Sequence, residues 1–136
     1  MPNLILFGKR SGALQSAVIV LLVSAITASI GQVLFKKGMM LAGKVDIKLS
    51  LECAIYLIKT VFTPYVFAGL LFYALSTLLW LAALSKCTLN FAYPFTAVTF
   101  VLVILLSSFI LKEPIPLTRI AGMAVIIGGI FIVSLK

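Results

Sequence analysis

The sequence has no histidine, only two cysteines and only three acidic residues, Asp46, Glu52 and Glu113. Without histidine, His-based catalysis and His-ligated metal sites are excluded. Cys53 and Cys87 show neither metal-binding nor redox spacing and are predicted to be buried free thiols. The acidic residues form no pair for general acid–base chemistry. We therefore predict no catalytic residue, no metal and no cofactor, and we do not expect an enzyme.

Charge is scarce overall. Charged residues make up 10% of the chain and hydrophobic residues 63%, whereas a soluble domain is about 25% charged. The mean hydropathy is +1.29. These values predict an all-α, multi-pass integral membrane protein. The net charge is +8, but the basic residues flank apolar segments, so the predicted partners are membrane lipids with anionic head groups and not nucleic acid.

Four apolar segments are long enough to cross a bilayer, which takes about 20 residues per helix. They span about residues 13–35, 64–85, 89–111 and 117–135. Charged residues interrupt the connection between the first two segments, and residues 45–62 are predicted to form an interfacial amphipathic helix. The whole chain, 1–136, is predicted to be a single four-helix transmembrane domain.

The first apolar segment carries a stripe of small and weakly polar residues. At helical spacing they share one side, with Gln32 at its margin: Ser24, Thr27, Ala28 and Gly31. Such a stripe is costly against lipid unless it faces protein or a water-filled path. We expect Lys36 and Lys37 where the helix leaves the hydrocarbon and Gly38 as the C-terminal cap.

The second and third segments carry polar and aromatic residues that are candidates for a binding site. Tyr73 and Trp80 share one helical face with Ser76 and Thr77. Trp80 lies well inside its span, where it either packs against neighbouring helices or forms an aromatic wall for a substrate. Tyr93 precedes Pro94, whose missing N–H frees a backbone carbonyl.

The fourth segment contains small residues that allow close approach between membrane helices. These are Ala121, Gly122, Gly128 and Gly129. They are predicted to pack either within the chain or across an oligomer interface. Because four spans enclose little volume, we expect a dimer.

Three motifs resemble the drug/metabolite transporter superfamily, and within it four-helix proteins of the small multidrug resistance type. They occupy residues 29–38, 90–94 and 122–130. Small multidrug resistance exporters place a proton-binding Glu in the first helix. The matching position here is Ala28, which cannot titrate, so proton-coupled export of cations by that mechanism is not expected.

A second branch of that superfamily lacks the Glu and resembles this chain in four short motifs. They are Gly31-Gln32, Ala92-Tyr93-Pro94, Glu113-Pro114 and Gly128-Gly129. This branch includes subunits thought to flip aminoarabinose-phosphoundecaprenol. The resemblance implies a lipid-linked substrate, the bacterial inner membrane, and a homodimer or a heterodimer with a related four-helix subunit.

Membrane-embedded polar groups should face a partner because they are expensive against lipid. The predicted substrate-binding residues are Gln32, Lys36, Lys37, Tyr73, Trp80 and Tyr93. One of the lysines would neutralise a phosphate, although ordinary interfacial lysines would look the same. The main hypothesis is a flippase for a lipid-linked sugar or polyprenyl phosphate. The alternatives are an exporter of small hydrophobic or cationic solutes, and an accessory subunit of a membrane glycosyltransferase or transporter.

Overall fold

Five α-helices make up the part of the chain described by the computed structural model, which covers the backbone of residues 3–43 and 51–134 and the side chains of residues 14–43 and 51–133. In order they are α1 (Asn3–Ala42), α2 (Leu51–Val61), α3 (Pro64–Leu84), α4 (Leu89–Leu111) and α5 (Leu117–Ser134). α4 has the bounds given above for the third segment, and α3 ends one residue earlier than predicted. Residues 45–50, where the predicted interfacial helix begins, lie outside the described residues.

α1 is longer than the segment predicted for it. Its 40 residues measure about 60 Å at 1.5 Å per residue, about twice the hydrocarbon thickness of a bilayer. The prediction that Gly38 caps this helix is wrong. The helix continues to Ala42, and Gly43 adopts the left-handed conformation, with φ at 97°. The Gly43 N–H donates to the carbonyl oxygen of Met39 at 3.1 Å, which satisfies one of the last free carbonyls.

α2 is tied to the ends of its neighbours. The Tyr56 hydroxyl donates to the carbonyl oxygen of Ala42 at 2.5 Å, and so satisfies a second carbonyl at the end of α1. Thr63 is the extended residue before α3, and Pro64 occupies the first helical turn, where a missing N–H costs nothing. The Thr63 hydroxyl donates to the carbonyl oxygen of Thr60 at 2.6 Å.

α1 is the central helix of the fold. It packs antiparallel to α3 and runs beside α4, while α3 and α4 touch each other little and α5 contacts α4 alone among the described helices. At one end of the bundle, Leu21, Ala83 and Ala92 form a fully buried cluster, against which Trp80 and Cys87 pack. Each cysteine is half-buried, not buried as predicted, and neither is in a disulfide.

The burial pattern reverses that of a soluble protein. The buried positions are mostly small, such as Ala17, Ala25 and Ser29, and many large apolar side chains point outward. Phe109 and Val125 are 85% and 75% exposed. Small residues inside and large apolar residues outside are what helix packing in lipid produces, because hydrocarbon solvates the outward side chains.

Within residues 3–43 and 51–134, three helical stretches are long and apolar enough to cross a membrane. They are Leu14–Ala42, Pro64–Leu84 and Leu89–Leu111, and the apolar part of α5, Leu117–Val133, is shorter. With the burial pattern and the composition, these helices make the chain an all-helical, multi-pass membrane protein.

Candidate functional site

Glycines bring the backbones of α1 and α3 into close contact. A Cβ atom on Gly31 would lie 2.9 Å from the carbonyl oxygen of Gly69, and one on Gly69 would lie 2.8 Å from the carbonyl oxygen of Gly31. A Cβ on Gly38 would overlap the Val66 side chain. Ser24, Gly31 and Gly38 recur every seven residues, a spacing that returns to nearly the same helical face. This face of α1 is therefore the contact with α3.

A serine pair closes the same seam farther along α1. The Ser24 hydroxyl donates to the carbonyl oxygen of Ser76 at 3.0 Å, and the Ser76 hydroxyl donates to the carbonyl oxygen of Ser24 at 2.9 Å. Both side chains are buried, and their two Oγ atoms are 3.1 Å apart. The pair fixes the register of α1 against α3 and thereby the positions of the residues beside the seam.

Removing this pair should weaken the bundle measurably but modestly. The double substitution Ser24→Ala and Ser76→Ala is expected to lower the free energy of unfolding by about 1 kcal/mol, since interhelical hydrogen bonds in membranes are worth about 0.6–1.7 kcal/mol. Unfolding by SDS in mixed micelles measures it. Ser107→Ala is the control, because that hydroxyl bonds only within α4, to Ile104. A double variant as stable as the unsubstituted protein would show that the pair does not hold the seam.

A groove of about 310 Å³ lies between α1, α3 and α4. It exists because α3 and α4 both pack on α1 but separate from each other. Its lining combines hydroxyl, amide and aromatic groups with small apolar ones: Leu21, Ser24, Ala25, Ala28, Gln32, Tyr73, Ser76, Thr77, Trp80, Phe95, Thr96, Thr99 and Phe100.

The structure brings some of the predicted substrate-binding residues together. Gln32, Tyr73 and Trp80 line the groove. Tyr93 is not among the lining residues, and its ring meets the edge of Trp80 with the ring centroids 6.3 Å apart. Ala28, the position matched above to the Glu of small multidrug resistance exporters, lies in the lining as well. That match remains a prediction.

The two predicted lysines have different surroundings. Lys36 is exposed and follows Gln32 by one helical turn, which places it about 6 Å farther along the same side of α1. Lys37 is half-buried on another side, with its Nζ atom 4.9 Å from the centroid of the Tyr65 ring. Lys37 therefore makes a cation–π contact with the start of α3, whereas Lys36 lies beyond the Gln32 end of the groove.

Sequence reasoning placed the site between the first and third apolar segments, now α1 and α4, but named Tyr93 and missed the α4 residues that line the groove. It also missed the glycine contact. Phe95, Thr96, Thr99 and Phe100 supply the α4 wall. Their spacing of three and four, with two threonines inside an apolar helix, was the available signal. For Gly31 and Gly69, no local pattern shows that two glycines on different helices face each other.

The small residues of α5 do not pack within the described part of the chain as the seam glycines do. A Cβ built on Gly122, Gly128 or Gly129 would meet no atom within 4 Å, and Ala121 is exposed. Two roles were predicted for these residues, packing within the chain and packing across an oligomer interface. The structure shows no close packing of them against another described helix. Contact with another chain remains a prediction.

Two proteins that are similar to this chain carry names that state a function. The chain is 34% identical over 72 residues to a protein of Pseudomonas aeruginosa strain UCBPP-PA14 named probable 4-amino-4-deoxy-L-arabinose-phosphoundecaprenol flippase subunit ArnE, a match that covers 53% of this chain and 63% of the relative. It is 37% identical over 73 residues to the corresponding subunit ArnF of Erwinia tasmaniensis, covering 52% and 58%. The matches therefore span less than two thirds of these relatives.

A third relative matches over more of the chain. The uncharacterized protein y4nH of Sinorhizobium fredii is 28% identical over 118 residues, which cover 86% of this chain and 93% of the relative. Neither a protein-family model nor a solved structure matches. The resemblance inferred from the sequence motifs is confirmed by the first two relatives. Over about half of its length, this chain is similar to the subunits of aminoarabinose-phosphoundecaprenol flippases.

Proposed function

We propose that this chain is a non-enzymatic subunit of a flippase that moves a lipid-linked sugar phosphate across the bacterial inner membrane. The observation that carries the proposal is the groove beside the α1–α3 seam, which holds polar side chains at the depth of apolar helices. Groups of this kind are costly in hydrocarbon unless they meet a partner. The names of the relatives supply the class of substrate.

The proposed membrane arrangement has four spans and one interfacial helix. The apolar part of α5, Leu117–Val133, has a length of about 26 Å, at the short end of what a span requires. On α2, the large apolar residues Leu51, Ile55 and Ile58 share one exposed side, and the exposed Phe62 follows directly after the helix. Tyr56 faces the end of α1. A helix with this pattern next to the end of a span is suited to the bilayer surface.

The separation of α3 and α4 suits a substrate with a long lipid tail. Their limited contact leaves the groove with a side that neither helix closes. A polyprenyl tail can remain in the surrounding hydrocarbon while the sugar occupies the groove. This division avoids transferring the tail out of lipid, which would cost about 0.8 kcal/mol for each CH₂ group exposed to water.

The phosphate belongs near Lys36 in this proposal. Lys36 is exposed, lies one turn beyond Gln32 on the groove side of α1, and has no ion-pair or aromatic partner among the described residues. Lys37 already contacts the Tyr65 ring. An ammonium at the membrane interface attracts a phosphate as a point charge.

The flippase is proposed to be a dimer, either of two copies or of this chain with a related subunit. α5 packs on α4 alone among the described helices, and the open sites at Gly122, Gly128 and Gly129 permit a second helix to approach closely. The relatives are themselves named as subunits.

Lys36→Ala should weaken the binding of polyprenyl phosphate to the purified protein by about tenfold, because charge-assisted contacts are worth about 1.5–3 kcal/mol. Lys37→Ala should have a smaller effect, since its ammonium is held over the Tyr65 ring. Lys59→Ala, an exposed lysine on α2, is the matched control for the loss of one positive charge. Binding can be measured by titration of the detergent-solubilised protein.

Unchanged binding by Lys36→Ala would remove the phosphate role from this residue. Preference of the unsubstituted protein for a panel of organic cations over polyprenyl phosphate would overturn the flippase proposal in favour of a solute exporter. Binding only in the presence of a larger copurifying enzyme would point to an accessory subunit.

A further inference from the structure

Lys86 lies at the opposite end of the groove from Lys36. It occupies the turn between α3 and α4, and its backbone N–H donates to the carbonyl oxygen of Ala83 at 2.9 Å. Ala83 belongs to the buried cluster against which the groove ends, because Trp80 and Phe95 both line the groove and pack on that cluster. Lys86 therefore lies directly beyond the closed end of the groove, whereas Lys36 lies beyond its other end.

The distance between the two lysines matches the thickness of a membrane. Gly38 of α1 packs against Val66 at the start of α3. From Val66 to Lys86 the chain runs along α3 and the turn after it for about 30 Å, at 1.5 Å per residue. Lys36 precedes Gly38 on the antiparallel α1 and so lies about 3 Å nearer to Lys86. The remaining distance of about 27 Å is close to the hydrocarbon thickness of about 30 Å, so a bundle that crosses the membrane places one lysine at each face.

Lys86 is available to an anionic ligand. Its side chain is exposed and has no ion-pair or aromatic partner among the residues that the structure describes. Glu52 in α2 and Glu113 after α4 belong to the opposite end of the bundle, and Asp46 lies in the connection that follows α1. A lysine without a carboxylate beside it attracts phosphate at a membrane surface as a point charge. An ordinary lysine that anchors a helix end would look the same, so the position of Lys86 relative to the groove carries the argument.

A lipid-linked head group would follow a path from Lys36 to Lys86. α3 and α4 flank the side of the groove that stays open, and the turn of residues 85–88 joins these two helices at its far end. A tail that projects between the helices would guide the phosphate along the opening to this turn. At the second face the phosphate again needs a cation, because an anion at the edge of the hydrocarbon is poorly solvated. Lys86 is the one charged residue of this turn.

We propose that Lys86 is a second binding site for the phosphate of a lipid-linked sugar, at the membrane face opposite Lys36. The inference rests on the proposed function and adds the group that meets the phosphate after it has crossed. The buried cluster of Leu21, Ala83 and Ala92 separates the two sites in this structure. In this arrangement the purified protein binds polyprenyl phosphate beside Lys36, and Lys86 acts only during translocation.

Lys86→Ala should separate translocation from binding. Movement of polyprenyl-phosphate glucose and of polyprenyl-phosphate glucosamine is measured in phosphatidylcholine proteoliposomes that contain the full-length protein with any partner subunit it requires. The probe that the unsubstituted protein moves faster should be slowed at least about tenfold by this substitution. Binding of polyprenyl phosphate to the detergent-solubilised variant should change by less than about twofold, whereas Lys36→Ala weakens it.

Two further variants control for charge and for folding. Lys86→Arg keeps the positive charge and should restore movement. Lys59→Ala removes an exposed lysine of α2 and should leave both binding and movement unchanged. Lys86→Ala retains the backbone bond to Ala83, and size-exclusion chromatography with Trp80 fluorescence establishes that each variant is folded.

Several outcomes would overturn the inference and leave the proposed function standing. Movement at the normal rate with Lys86→Ala, or no recovery with Lys86→Arg, would show that this positive charge is not on the path. A loss of binding equal to that of Lys36→Ala would assign both lysines to a single site. Slowing that appears only after phosphatidylglycerol is added to the vesicles would show that Lys86 meets bulk anionic lipid. If the unsubstituted protein moves neither probe, the proposed function itself fails.

Discussion

Gly31→Leu should disrupt the bundle, while Gly12→Leu on the same helix should be tolerated. At Gly31 even a Cβ would lie 2.9 Å from a backbone oxygen of α3, whereas at Gly12 a Cβ would meet nothing within 4 Å. A backbone cannot move aside as a flexible side chain can, so α1 and α3 would have to separate. We expect Gly31→Leu to lower the free energy of unfolding by about 3 kcal/mol or more, the upper range of overpacking effects.

The fluorescence of the single tryptophan can be used to measure this loss of stability. Trp80 is the only Trp in the sequence and packs against the buried cluster of Leu21, Ala83 and Ala92. Its fluorescence during SDS titration should report an earlier transition for Gly31→Leu and an unchanged one for Gly12→Leu. Gly69→Leu should repeat the effect from the α3 side, because its Cβ would lie 2.8 Å from the Gly31 carbonyl oxygen. Equal stability of all three variants would contradict the close approach of the two helices.

Ala28→Trp should strongly slow translocation while the protein still folds. Ala28 is half-buried in the lining of the groove, so a large ring there occupies the space proposed for the sugar without entering the α1–α3 seam. We expect at least a tenfold loss of polyprenyl-phosphate sugar movement in proteoliposomes that contain the purified protein with any partner subunit it requires, equivalent to about 1.4 kcal/mol or more.

The matched control for this variant is Ile26→Trp. Ile26 lies two residues away on α1 with 48% of its surface exposed and does not line the groove. A Trp at this position should point away from the groove, toward the surrounding membrane. Translocation should then stay near its normal rate. Tryptophan fluorescence and size-exclusion chromatography establish that both variants are folded. Normal translocation by Ala28→Trp would show that the substrate does not pass through this groove.

Most helices of this protein could be predicted from local sequence. Hydropathy and length gave Leu89–Leu111 at both ends, and Thr63-Pro64 marked the start of α3. These features depend on neighbouring residues: the burial of backbone groups in lipid requires a helix, and Pro favours its first turn. A helix end that depends on a cap was harder to predict, since either Gly38 or Gly43 is chemically suited to end α1.

The candidate site was accessible in part, and the reason lies in helical geometry. The periodicity of α1 placed Ser24, Thr27, Ala28 and Gly31 on one side of the helix, with Gln32 at its margin. It could not divide that side between two neighbours, because positions that differ by about 40–100° around a helix axis can face different partners. In the structure, Gly31 contacts α3, Ser24 bonds to α3 at the border of the groove, and Ala28 and Gln32 line the groove.

The sequence by itself determined that this chain is an all-helical membrane protein without histidine chemistry and without an acidic residue in any of its four apolar segments. The tertiary structure alone decided which glycines pack against another helix and which lysine has an aromatic partner. Gly31 meets Gly69, and the Gly128 site stays open; Lys37 contacts Tyr65, and Lys36 is exposed. Hydropathy and charge belong to each residue, whereas a contact depends on residues far apart in the chain whose register is set only when the helices pack against one another.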